Sequence, residues 1–217
     1  ICRDHEWLGL TWDEGPVYQS SHGARYEAAL QRLFDDGRVY PCTCSRKEIA
    51  AIASAPHGDE GPRYPGTCRN GPTHPERPAA LRFRFEDPSP SFDDGVAGPY
   101  PAGAVGGDFV LRRADGVWAY QLAVVVDDAE QGVTEVIRGA DLLSSTPRQI
   151  ALHRALSHEV PTFAHVGLVV DQEGTRLSKR HGATSIAALR ESGKQPEEVI
   201  GALAHSLGIV GTKAPIP

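Results

Sequence analysis

Apolar positions first recur at helical spacing between residues 22 and 36, where Tyr26, Ala29, Leu30, Leu33 and Phe34 share one face of a predicted helix. Gln19-Ser20-Ser21 offers the N-cap and Gly37 the stop. Upstream, Glu6 to Leu10 reads as a helix end, with Gly9 at the position where a left-handed backbone is cheap. Thr11 to Pro16 is a turn. Val39 to Cys44 is extended. Ser45-Arg46-Lys47-Glu48 is a capping box that opens a short helix to about Ala55. Residues 56 to 78 are dense in Pro and Gly and cannot build a core of their own. Leu81 to Phe85 reads as a strand, and 87 to 107 as a Pro/Gly-rich surface loop.

The second half alternates more regularly. Strands are predicted for Asp108 to Arg113 and Val117 to Tyr120, joined by Ala114-Asp115-Gly116. Gln121 to Val126 reads as helical, closed by Asp127-Asp128. Thr134 to Arg138 has the apolar look of a buried strand. Thr146 as N-cap and Pro147 at the first helical position open a helix to about Leu156. His165 to Val170 is the next strand. Two short helices follow from Ser185, the second starting at Pro196, and no segment repeats. This alternation predicts an α/β fold with a parallel sheet and an inserted small-strand region, short of at least one leading strand–helix unit.

Composition bounds the class. The chain has 217 residues, 40% of them hydrophobic, which suits one large domain or one domain with an insert. No run approaches the ~18 apolar residues of a membrane span, and no signal peptide is visible. The net charge of −6 does not mark a nucleic-acid binder, although a local basic face can coexist with an acidic total. Four Cys do not make a secreted disulfide framework, so a cytoplasmic setting is expected. The chain opens with Ile1 and contains no Met, which reads as processing or truncation.

Three constellations carry chemistry. Cys42-x-Cys44 with Cys68 brings soft thiolate ligands to a segment too polar to fold alone, and Zn²⁺ would supply the missing ordering energy. The fourth ligand is open among Tyr64, His57 and His74, with His favoured on general grounds; unrelated cytosolic thiols are the competing reading. Arg138, at a strand end beside Gly139-Ala140, can grip a carboxylate through two nitrogens, and Tyr120 can add a hydroxyl. Each is more often structural. Lastly, Val169 to Gly182 reads as a short strand, an acidic turn and a basic loop, Arg176-Leu177-Ser178-Lys179-Arg180. Such a loop suits a polyphosphate, or is simply solvated.

That pentapeptide resembles the Lys-Met-Ser-Lys-Ser signature of class I aminoacyl-tRNA synthetases, in the form used by the glutamyl branch. Trp12 to Pro16, Tyr120 to Asp128, Gly132-Val133-Thr134, Arg138 to Leu142 and Ser144 to Gln149 are similar to the same catalytic domains. The similarity runs from residue 1 to about 185 and is weakest in 56 to 107. Within the branch it more closely resembles the shortened paralogues that glutamylate queuosine in tRNA(Asp). Tyr64-Pro65-Gly66-Thr67-Cys68 beside Cys42 and Cys44 matches their zinc site of three Cys and one Tyr, which promotes Tyr64 over the histidines. Val124 and Leu142 stand where the charging enzymes carry Asn and Trp. The given sequence also stops about 37 residues after the Ser-Lys-Arg loop, where a charging enzyme would be expected to continue into an anticodon-binding domain.

The resemblance implies a class I Rossmann-like fold with residues 1–40 and 108–185 catalytic, 41–107 a zinc-binding and connecting insertion, and 186–217 a short helical segment. It implies ATP with Mg²⁺ and glutamate as substrates, structural Zn²⁺ on Cys42, Cys44, Tyr64 and Cys68, and queuosine-bearing tRNA(Asp) as acceptor, without tRNA being needed for adenylate formation. Lys179 and Ser178, helped by Arg180, would serve the phosphates; Tyr120 and Arg138 would hold glutamate; Asp141 would lie near the nucleotide. A monomer with no membrane partner is expected. The family's His-Ile-Gly-His-like signature has no counterpart before Ile1-Cys2-Arg3-Asp4, so the chain as given is expected to be inactive or severely impaired. The competing expectations are a fragment of a tRNA-charging enzyme, or a non-catalytic zinc-stabilised binding module with Arg112, Arg113, Arg148 and Lys179 on one basic face.

Overall fold

The computed structural model describes residues 2–52, 63–85, 88–170 and 185–216. It forms two compact units, one of Tyr18–His165 and one of Ile1–Val17 with Val166–Pro217. The chain begins with helix α1 (Cys2–Trp7), and Gly9 takes the left-handed conformation expected of it, at φ 76°. Helix α2 (Gly23–Asp35) buries Tyr26, Leu30 and Leu33. Phe34 does not join them: it is 51% exposed, because it lies about 100° around the helix from Leu33. His22 is the N-cap, and Gln19–Ser21 instead forms a 3-10 turn before it.

Strand β1 (Val39–Cys42) leads into helix α3 (Arg46–Ile52). The predicted capping box is present: Ser45 N–H donates to Glu48 Oε2 at 2.7 Å and Glu48 N–H to Ser45 Oγ at 3.2 Å. Those bonds, with Arg77, hold the Glu48 carboxyl down to about 2. The expected end of this helix at Ala55, and His57, lie outside the described residues. Strand β2 (Ala80–Phe83) follows.

Residues 88–107 correct the expectation of a surface loop. They contain the hairpin β3 (Phe92–Asp94) and β4 (Gly98–Tyr100), with Phe92 opposite Tyr100, and they bury Ser89, Asp94 and Val105. The Pro and Gly residues shape turns here. Asp94 Oδ1 accepts from the amides of Val96 and Ala97, and Gly98 takes φ 76°. Three-residue strands are too short to show a period in sequence.

Strand β5 (Phe109–Arg112) is as expected, but Val117 to Tyr120 is not a strand. It makes one bridge, Arg112 to Trp118, and Tyr120 is the first residue of helix α4 (Tyr120–Glu130). Asp127 and Asp128 sit inside that helix rather than closing it. Strand β6 (Glu135–Gly139) ends its sheet, which leaves Ile137 67% exposed instead of buried. A 3-10 turn, Ala140–Ser145, leads into helix α5 (Thr146–Ala155), capped by Ser145 rather than Thr146. Strand β7 (Thr162–Val166) starts earlier than predicted. Helices α6 (Ile186–Glu191) and α7 (Pro196–Ser206) complete the chain; Ser185 Oγ caps the first, accepting from Ala188 N–H at 3.1 Å.

In the larger unit, β1, β2 and β5 form an antiparallel sheet in that order. The second sheet runs β4-β3-β7-β6, with β3 and β7 parallel and Asp94 opposite Phe163. The parallel character expected is therefore present at β3–β7, beside a separate antiparallel sheet. The core joins α2, α4 and α5 to both β2 and β5 through Leu30, Leu33, Phe83, Leu111, Leu122, Val125 and Leu152. Each such side chain contributes roughly 1.5–3 kcal/mol on burial. In the smaller unit, Arg190 of α6 donates to Asp4 of α1 at 2.7 Å, and Gly201 of α7 lies under the Ala214 carbonyl, which a Cβ would meet at 2.0 Å. No helix among the described residues is long and apolar enough to cross a membrane.

Two buried carboxylates tie the larger unit together. Asp127 accepts from Tyr26 Oη at 2.7 Å and Gln19 Nε2 at 2.8 Å, and meets His22 Nδ1 at 2.8 Å. Asp108 accepts from Tyr40 Oη at 2.5 Å, from Arg69 Nε at 2.6 Å, and from the Phe85 amide at 2.8 Å. Burial raises both carboxyls, but these donors outweigh it and hold them below the ordinary aspartate range. A depressed folded-state pKa gives stability that is complete above the unfolded value, about 3.9, and is lost as pH falls through the folded value. Urea titrations across that acid range should show stability falling more steeply in the unsubstituted protein than in Asp127→Asn. At neutral pH, Asp127→Ala should cost about 3 kcal/mol, because it strands the Tyr26 hydroxyl and His22.

Candidate functional site

The thiols of Cys42, Cys44 and Cys68 come together although the first and last lie 26 positions apart. Cys42 ends β1, Cys44 follows it, and Cys68 sits on the turn that opens with Gly66 at φ 82°. Their sulfur atoms all lie within 4.8 Å of one another, with Cys44 Sγ 3.5 Å from Cys68 Sγ. The Tyr64 hydroxyl joins them, 3.3 Å from Cys42 Sγ and 3.7 Å from Cys44 Sγ. A tetrahedron with bonds of about 2.3 Å spaces its ligand atoms by about 3.8 Å, so this donor set fits a metal ion. All the cysteines are free thiols.

His74 does not compete for the fourth position. Its Nε2 faces Glu48 at 3.3 Å and its Nδ1 faces Glu76 at 3.7 Å. Tyr64 is buried, and the Arg82 guanidinium lies 4.0 Å above its ring centroid. Burial and the neighbouring sulfurs of Cys42 and Cys68 push its hydroxyl pKa up, so the phenol is neutral. Burial also opposes ionisation of Cys68, yet hydrogen bonds from Thr73, Thr43 and Tyr64 bring that thiol down to about 5. The cluster is anchored from below: Tyr40, two residues before Cys42, and Arg69, next to Cys68, both bind the buried Asp108. Gly107 lies close against this segment, since a Cβ there would meet the Tyr64 backbone at 2.9 Å.

Arg138 and Tyr120 are also brought together. Arg138 lies near the end of β6, and its Nη1 is 3.5 Å from the hydroxyl of Tyr120, which opens α4. Other nitrogens of the guanidinium are engaged. Nε donates to His165 Nε2 at 2.9 Å, and Nη2 to Thr146 Oγ1 at 2.8 Å. His165 in turn sets Nδ1 2.5 Å from Asp94 Oδ2. Burial lowers the Arg138 pKa, opposed by Tyr120 and by the Asp128 carboxylate. What results is a half-buried cation with a bonded inner edge and an outer edge beside a hydroxyl. A planar anion such as a carboxylate matches that edge.

Asp94, Thr146 and His165 were not legible as parts of a site. Asp94 was hidden in a stretch read as a loop, and it meets His165 across 71 positions of sequence. Asp141 is exposed on the 3-10 turn after β6. Ser178, Lys179 and Arg180 lie outside the described residues. Of the expected basic face, Arg112 is paired with Glu27 at 3.0 Å and Arg113 with Asp115 at 2.5 Å, and Arg148 is half-buried. Two of its cations thus have their charge met within the chain.

Comparison with known proteins places this chain in a family. The family described as "tRNA synthetases class I (E and Q), catalytic domain" matches residues 1–213. A protein of Symbiobacterium thermophilum named glutamyl-Q tRNA(Asp) synthetase is 52% identical over 98% of this chain and 72% of its own length. One of the same name from Deinococcus radiodurans is 50% identical over 98% of this chain and 72% of its own length. Among solved structures, a glutamate tRNA ligase of Elizabethkingia meningosepticum superposes with a TM-score of 0.73 at 25% identity, over 93% of this chain and 49% of that one. The chain therefore belongs to the class I tRNA synthetases of the glutamyl and glutaminyl branch, matching their catalytic domain.

Proposed function

We propose that the protein activates glutamate with ATP and Mg²⁺ and transfers the glutamyl group to queuosine in the anticodon of tRNA(Asp). The observation that carries this reading is the guanidinium of Arg138, bonded along its inner edge and flanked by Tyr120, in a chain half identical to relatives of that name. Arg138 and Tyr120 would hold a carboxylate of glutamate. Its reacting carboxylate oxygen attacks the α-phosphorus of ATP, and pyrophosphate leaves. Ser178, Lys179 and Arg180 are assigned to the phosphates, where negative charge accumulates on the departing group. A hydroxyl of the queuosine cyclopentene ring then attacks the carbonyl carbon, AMP leaves, and an ester forms. Neither step calls for a strong protein base; orientation and charge neutralisation supply the rate. Asp141 is assigned to the nucleotide.

Cys42, Cys44, Tyr64 and Cys68 would hold Zn²⁺, which supplies local order rather than catalysis. Support for this comes from three thiols and a phenol at ligand spacing, in a segment with little core of its own.

In the full-length gene product, glutamate should drive ATP–pyrophosphate exchange without tRNA, and Lys179→Ala should reduce its rate by about 10²–10³-fold. Absence of glutamate-dependent exchange sinks the activation chemistry. Radiolabelled glutamate should attach equally well to queuosine-bearing tRNA(Asp) whose 3′-terminal adenosine has been removed; loss of labelling on that substrate would move the assignment to 3′-end charging. Elemental analysis should find about one zinc per chain, and Cys68→Ala should lose the metal and lower the melting temperature by several degrees, while Cys2→Ala leaves both unchanged.

A further inference from the structure

Asp94 and His165 have no exposed side-chain surface, and His165 meets the guanidinium of Arg138. Both oxygens of the Asp94 carboxylate are engaged. Oδ1 takes the amides of Val96, Ala97 and His165 at 3.0, 2.8 and 3.0 Å, and Oδ2 takes His165 Nδ1 at 2.5 Å. An ionised carboxylate only accepts, so Nδ1 must carry the proton. His165 Nε2 is then left with a lone pair, which receives the Arg138 Nε–H. Were Nε2 protonated, two N–H groups would face each other at 2.9 Å. Thr146 completes the arrangement: its oxygen accepts from Arg138 Nη2 at 2.8 Å and lies 3.2 Å from Nε2. The Phe163 ring lies parallel to His165, with centroids 6.3 Å apart, and sits 5.4 Å below the Arg138 guanidinium carbon.

We propose that Asp94 and His165 are positioning residues that fix one imidazole tautomer and thereby aim Arg138 at the substrate carboxylate. The inference rests on the reading of Arg138 as a glutamate-binding group. The pair spans the sheet: Asp94 ends β3 and His165 lies in the adjoining parallel strand β7, with Arg138 reaching in from β6. A salt-bridged Arg would have its charge spent on a carboxylate. Here the Asp94 charge is separated from the guanidinium by a neutral ring, so Arg138 is held by hydrogen bonds while its charge stays available for the ligand.

Asp94→Asn is a sharp test. Oδ1 is retained for the three amides, and they fix its orientation, since a flipped amide would set NH₂ against three N–H donors. The NH₂ therefore faces Nδ1, which must now accept, and the proton moves to Nε2 against Arg138. Nitrogen-15 NMR of histidine-labelled full-length protein should read Nδ1–H for His165 in the unsubstituted protein and Nε2–H in Asp94→Asn. In ATP–pyrophosphate exchange, the KM for glutamate should rise by about tenfold or more while the KM for ATP stays within about twofold. His165→Gln, which keeps a carbonyl acceptor for Arg138, should recover part of the glutamate affinity lost in His165→Phe. An Nε2–H or imidazolium signal in the unsubstituted protein overturns the proposal, as does equal rise of both KM values in Asp94→Asn. No glutamate-dependent exchange in the unsubstituted protein sinks the functional reading and the positioning role with it. Normal exchange with an unchanged glutamate KM in Asp94→Asn sinks this inference alone.

Discussion

A carboxylate can leave water only if donors replace the water it loses, and that requirement organises the larger unit of this chain. Asp94, Asp108 and Asp127 are all buried, and each draws donors from distant sequence. Asp127 gathers Gln19, His22 and Tyr26, which fixes α2 against α4. Asp108 gathers Tyr40 and Arg69, which roots the cysteine cluster on the antiparallel sheet. Asp94 gathers His165 across the β3–β7 pair. Apolar burial supplies most of the stabilisation, but it is non-directional. These three groups give the packing its register, since a shift of one residue would leave a buried charge unmet.

How much of this was readable follows from the range of each interaction. Helix α2 and the capping box at Ser45 depend on neighbours three or four residues apart, so their signals lay in the sequence itself. The hairpin of β3 and β4 depends on a turn closed by Asp94 and on a neighbour, β7, almost seventy residues away, and its Pro/Gly composition pointed to a loop. Tyr120 was misplaced onto a strand for a similar reason. Val117-Trp118-Ala119-Tyr120 has strand-like residues, yet only Trp118 finds a bridging partner. The apolar strand β6 was read as buried because composition does not reveal which strand ends a sheet.

The candidate site divides in the same way. Thiol spacing made the cysteine cluster visible, and the structure adds what spacing could not: Tyr64 lies among the sulfurs while His74 is turned to Glu48 and Glu76. Arg138 and Tyr120 stood out through family resemblance, and the fold brings their polar ends to 3.5 Å. Nothing in the residues around Asp94 or His165 pointed to Arg138, because tautomer selection is a property of an assembled interior and has no local sequence pattern.

The guanidinium of Arg138 is used at three corners: one nitrogen for His165, one for Thr146, and one beside Tyr120. A lysine would bring the same charge on a single nitrogen, whose donors all radiate from one point and cannot reach three separate corners at once. Conserving the sign of the charge would therefore not conserve the position's role; what has to persist through divergence is a planar cation with more than one face.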